Sequence, residues 1–111
     1  MAVRRGVLAQ KQLTGASLDD IYSVPTGKQT VISTITVCNT NAVSDDAFRL
    51  SIGVGGAADS AQQYFYWDMP IPALQTFAIT FGITMEADDT LRAQSVGGDV
   101  IVCVFGEEED V

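Results

Sequence analysis

The fold class this sequence predicts is all-β, an antiparallel β-sandwich of jelly-roll kind with an extended N-terminal arm, and three observations predict it. Apolar residues recur at every second position in several short runs, such as Phe48, Leu50, Ile52 and Val54, which is the period of a half-buried strand. Clusters of Gly, Pro, Asn, Asp and Ser separate the runs, as turns between strands require. No stretch carries the 3.6-residue period of a helix. Seven or eight such strands fit a single sandwich domain, since 111 residues suffice for one core without a metal or disulfide staple.

In chain order, residues 1–14 mix small, apolar and basic types and read as an extended arm, with Val7 to Leu13 able to pair as an edge strand. At about 3.3 Å per residue such an arm reaches on the order of 40 Å, far enough to cross onto an adjacent subunit. Gly15-Ala16-Ser17 breaks the pattern and opens the sandwich domain, residues 15–106. Leu18 to Val24 leads into Val24-Pro25-Thr26-Gly27 and Lys28. Those four fit a type I turn, with Pro25 presetting φ at the second position and Gly27 taking the fourth. Val31 to Cys38 is nearly all β-branched, which favours a central strand. Simple alternation puts Val31, Ile35 and Val37 on a core face and Ile32, Thr34, Thr36 and Cys38 on a second face. That second face is neither charged nor bulky, as expected of a surface that something else covers.

Asn39 to Asp46 is a polar loop, Phe48 to Val54 a half-buried strand, and Gly55 to Ser60 a loop of small residues. Tyr64-Phe65-Tyr66-Trp67 concentrates the aromatic residues; alternation sends Phe65, Trp67 and Met69 one way and Tyr64, Tyr66 and Asp68 the other. Pro70 and Pro72 remove two donors and end that strand at an edge or bend. Thr76 to Phe81 alternates with Phe77, Ile79 and Phe81 inward, Gly82 permits a kink, and Ile83 to Met85 continues. Glu86 to Asp89 is a turn, Thr90 to Val96 a strand, and Gly97-Gly98 a two-residue hairpin turn. Val100 to Phe105 is apolar on both faces, Gly106 stops it, and residues 107–111 form an acidic tail.

Composition narrows the function. Hydrophobic residues make up 47% and charged residues only 18%, so some apolar surface is expected to be buried between chains. A net charge of −8 and a pI near 4.1 argue against nucleic acid, whose phosphates are bound by Lys and Arg clusters. Arg4, Arg5 and Lys11 sit near one end and Glu107 to Asp110 near the other; these read either as a pair of solvated tails or as a basic arm that docks on an acidic neighbour, with Val7 and Leu13 as apolar anchors. No run is long or apolar enough for a signal peptide or a membrane span, and the expected site of synthesis is the cytoplasm of the producing cell.

Catalytic readings find little support. The sequence has no histidine, which removes the usual base of a Ser or Cys triad. Asp45-Asp46 and Asp88-Asp89 lack the alternating spacing of a calcium loop, and Cys38 and Cys103 fit no zinc spacing. Both cysteines read as buried free thiols, with a bridge between them as the alternative. The fourteen acids offer no preferred pair for glycoside hydrolysis. Gly53-Val54-Gly55-Gly56 opens no helix that would cradle phosphate. No cofactor or metal is expected. Tyr64, Tyr66 or Trp67 would be the residues to stack on a sugar, and the same residue types serve protein contacts.

Tyr22-Ser23-Val24-Pro25-Thr26-Gly27-Lys28, Val37 and Asn39, Phe48-Arg49, Asp68 with Pro70-Ile71, Gly82-Ile83-Thr84, Leu91-Arg92 and Phe105-Gly106, read together, make a wider pattern. From about Ile21 to Gly106 the chain resembles a group of small virion proteins of tailed bacteriophages. Asp88-Asp89 stands where that group often has Gly-Asp, and the arm and acidic tail lie outside the shared part. The resemblance implies a non-enzymatic β-sandwich subunit attached to capsid or tail. The function expected is a capsid decoration, or cement, subunit on the capsid exterior. It would be a homo-oligomer, expected as a trimer, bound to the major capsid protein. The alternatives are a tail or baseplate subunit and a carbohydrate-binding module.

Overall fold

The computed structural model describes residues 3–80 and 82–111. The start of the arm, Met1-Ala2, and the expected inward Phe81 lie outside the described residues. Nine strands appear among the described residues: β1 (Val3–Gln12), β2 (Asp19–Ser23), β3 (Lys28–Asn39), β4 (Asp46–Gly53), β5 (Tyr64–Ile71), β6 (Thr76–Ile79), β7 (Ile83–Met85), β8 (Thr90–Ser95) and β9 (Val100–Asp110). Two short 3-10 turns, Val54–Gly56 and Ala61–Gln63, precede β5.

The strands form two sheets. One has the order β1-β9-β3-β6, with β7 also paired to β3; the other has the order β2-β8-β4-β5. All pairings are antiparallel. Pairing β1 with β9, β2 with β8, β3 with β6 and β7, and β4 with β5 is the pattern of one long hairpin rolled upon itself. The β3–β9 and β4–β8 ladders join its turns, and the result is a jelly roll. Between the sheets lie Ile32, Ile35, Val37, Val100, Val102 and Val104 from one side and Phe48, Leu50, Leu91 and Ala93 from the other. Phe48 touches the rings of Tyr66 and Phe77, each at 5.8 Å between centroids.

Several sequence expectations change in the folded chain. The edge strand expected from Val7 to Leu13 forms and runs further toward the start of the chain, over Val3–Gln12, so little of the arm is left to reach a neighbour: Val3 pairs with Glu109 and Gln12 with Ile101. Leu8 and Leu13 enter the core, because an apolar side chain that can reach the interior gains about 1.5–3 kcal/mol by burial. Residues 107–110 are not a solvated tail but the far half of β9, held between β1 and β3. The cations and amides there explain it, since Arg5, Lys28 and Gln29 meet Glu107, Asp110 and Glu109 respectively. The turn expected at Val24–Gly27 closes one residue later. Lys28 N–H donates to the Pro25 carbonyl at 3.1 Å, and Gly27 sits third with φ +80, the left-handed position a type II turn reserves for glycine.

A bulge at Ser33, where the β3–β9 register shifts between Ile32 and Thr34, reverses the facing of the first part of β3. Ile32 is buried and Val31 is exposed, the opposite of simple alternation. The β4–β5 register shifts twice and Asp68 has φ +50, so the alternation read for the aromatic run also breaks. Tyr66 packs against the core while Trp67 is exposed. Gly97-Gly98 does not close a hairpin, because β8 and β9 belong to different sheets. The Asp46 carboxylate accepts N–H bonds from Val96 and Gly97 and pins this crossover.

Candidate functional site

The two outer faces of the sandwich differ in charge. On the β2-β8-β4-β5 sheet, Arg49 makes two bonds to the Asp68 carboxylate, at 2.7 and 3.2 Å. Arg92 pairs with Asp20 at 3.0 Å and donates to the Ala57 carbonyl at 2.7 Å. The Arg49 guanidinium also lies 3.6 Å from the centre of the Trp67 ring, and Tyr64 meets that ring edge-on at 4.9 Å. The bond from Arg49 holds the Asp68 carboxyl below its usual range.

Among the described residues, the outer face of the other sheet carries no charged side chain between its upper end and Gly106. Register places the side chains of Ile101, Cys103 and Phe105 there from β9, with Thr34, Thr36 and Cys38 beside them on β3. Val7, Gln10 and Gln12 flank them on β1, and Thr76 and Ala78 on β6, followed by Thr80, whose hydroxyl lies 3.5 Å from that of Thr34. All are exposed or half-buried. With strands about 4.8 Å apart and residues about 3.4 Å apart, the uncharged area is about 400 Å². The uncharged, unbulky second face expected of the long strand is present from Thr34 onward, open to solvent in the single chain, and Ile32 has moved out of it.

Below this patch the sheet bends. β1 has a bulge between Val7 and Ala9, opposite Val104–Phe105 of β9, and β3 has one between Ile32 and Thr34, opposite Phe105–Gly106. A methyl group on Gly106 would lie 2.2 Å from the Val31 carbonyl oxygen, so only glycine permits this approach. A shallow pocket of about 420 Å³ opens at the bend, lined by Arg5, Val31, Ser33 and Phe105. Beyond it the face becomes charged, with Arg5 bonded to Glu107 at 3.0 Å and Gln29 to Glu109 at 2.7 Å. Just inside, buried Glu108 accepts the Tyr22 hydroxyl at 2.5 Å, and the Thr30 hydroxyl lies 2.7 Å from that of Tyr22. Burial first, and then the bond to Glu108, push the Tyr22 hydroxyl up to about 12.

Of the residues expected to meet a partner, Arg5 and Val7 are exposed on β1 beside the patch. Arg4 turns back to the carbonyls of Val7 and Leu8, and Lys11 reaches the Asp20 carbonyl at the sandwich rim. Leu13, only 2% exposed, belongs to this chain's own core and presents no anchor. Val24 is buried, while Pro25 and Gly27 stay at the surface of the turn and Lys28 pairs with Asp110. Tyr66 is committed to the Phe48–Phe77 cluster, and one face of Trp67 is taken by Arg49. Cys38 and Cys103 are free thiols, half-exposed on the uncharged face, rather than buried. The charge-free rows of β1 and β6 escaped the sequence reading because only the register brings them beside β3 and β9.

The chain matches no family model and no curated protein. Among solved structures it is similar to a chain in the crystal structure of the T13 IBDV viral particle. That likeness has a TM-score of 0.56 at 9% identity, over 96% of this chain and 30% of that one. It is also similar to a pentameric capsid protein isolated from metagenomic phage sequences. Here the TM-score is 0.44 at 17% identity, over 96% of this chain and 61% of that one. The first likeness is one of fold, and this chain spans under a third of the viral-particle chain it matches.

Proposed function

We propose that this chain is a non-enzymatic structural subunit of a virion, a capsid decoration subunit that acts by adhesion. The uncharged outer face of the β1-β9-β3-β6 sheet carries the proposal. On a protein of net charge −8, an uncharged area of about 400 Å² with an apolar centre is the surface that suits contact with another macromolecule, since the largest such patches on a protein are often functional. The jelly roll shared with a chain of a viral particle supports the same reading. At about 25 cal/mol per Å² the patch offers roughly 10 kcal/mol at most, against an association cost of about 4–15 kcal/mol. One such contact is weak alone, and repetition over a shell multiplies it. The exposed rim of β1, with Arg5, Val7 and Lys11, is the part that meets the capsid protein.

The test is to assemble virions with and without this protein and count its copies per particle. Decoration predicts a copy number that scales with the capsid lattice and shells that break at lower force or temperature without it. A few copies at one vertex would instead make it a tail or baseplate subunit. Absence from particles would reject the virion role.

A further inference from the structure

We infer that the occupant of the uncharged sheet face is a second copy of this chain, packed back to back about a twofold axis. The inference rests on the adhesive reading of that face and adds the partner. Two copies each of net charge −8 repel wherever carboxylates oppose each other, and this face is where the approach brings none together. The face is also self-complementary. Its Gln and Thr side chains both donate and accept hydrogen bonds, so the same surface turned on itself can satisfy each group, as an isologous contact demands. The opposite sheet would set fixed Arg–Asp pairs against their own images. Ile101, Cys103 and Phe105 run along the strand at the middle of the patch and supply its apolar centre.

Area sets the strength. Two patches bury about 800 Å² in all, below the roughly 1,200 Å² at which stable interfaces begin, so the pair is reversible and concentration-dependent. Because the contact has no ion pairs and the long-range force between copies is repulsive, salt strengthens it. An interface held by Arg and Asp would weaken instead.

Sedimentation of the purified chain over a concentration series, at low and high salt, reads this directly. The expected result is a dimer whose population rises with concentration and with salt. Iodoacetamide should alkylate Cys38 and Cys103 more slowly as the dimer fills. Thr36→Lys at the patch centre, and Ala78→Lys on the neighbouring strand, should each weaken dimerisation at least about tenfold. Gln94→Lys on the opposite sheet should not. Cooperative thermal unfolding of each variant checks that it is folded. A trimer mass, a monomer at every concentration, or a dimer untouched by both patch variants would overturn the pairing. If the chain stays monomeric while Thr36→Lys abolishes binding to shells, the face belongs to the capsid protein and only the adhesive reading survives. If the dimer forms but no particle binds it, the pairing stands and the virion role falls.

Discussion

Gly106 sets the closest approach between β9 and β3, with a would-be Cβ 2.2 Å from the Val31 carbonyl oxygen. The atom opposite is backbone and cannot swing aside. Gly106→Ala should therefore cost about 2 kcal/mol, read as a lower urea midpoint at unchanged slope. Tyr22 is a second such residue. Its hydroxyl titrates near 12 in the folded chain against about 10 when free, so the fold favours the neutral phenol. That contribution is complete below pH about 10 and is lost as pH rises toward about 12. Alkaline unfolding should thus be steep in the wild type and flatter in Tyr22→Phe. At neutral pH that variant should be less stable by about 1–3 kcal/mol, since buried Glu108 loses a donor. Neither residue announces itself in the sequence. Gly106 reads as a strand stop, and Glu108 is one of several acids in a run, because what singles them out is a neighbour far along the chain.

At the scale of the strand, the decisive element is β1. It brings Leu8 and Leu13 into the core and covers one edge of β9 over its whole length. Removing residues 3–13 forfeits two buried leucines, about 3–6 kcal/mol, and a ladder of backbone bonds besides. Against a total stability of about 5–15 kcal/mol, the truncated chain should lose cooperative thermal unfolding in circular dichroism. A free arm would leave the melt unchanged. The crossover between β8 and β9 depends similarly on Asp46, whose carboxylate holds the Val96 and Gly97 amides. Asp46→Ala should cost about 1–3 kcal/mol and speed amide exchange at those two positions. Alternation located β4 and β8 and put Phe48, Leu50, Leu91 and Ala93 inward correctly, but it failed at the end of β4, where Ser51 is buried on the opposite face and Val54 is exposed in a turn past Gly53. It misplaced Val31 and Trp67 because a bulge adds one residue and inverts every facing on one side of it, and no period in the sequence marks where it falls.

For the molecule as a whole, turn spacing and alternation were enough to indicate a sandwich. The uncovered Thr34, Thr36 and Cys38 already marked one face as different from an ordinary solvated surface. The partition of strands between sheets was not legible, since Gly97-Gly98 looks locally like a hairpin whether the chain turns back or crosses over. The site was half visible for the same reason: two of its four strands join it only through long-range register. That register has a kinetic consequence. Val3 lies against Glu109, so the larger sheet stays incomplete until β9 has left the ribosome, and β1, made before the rest of this sandwich, is among the last of its strands to find a mate. Pairing so distant in sequence slows folding, and throughout that delay β3 and β1 offer bare ladders to other nascent chains. Expression yield should therefore respond more sharply to synthesis rate and to holdase chaperones than the stability of the finished protein would suggest.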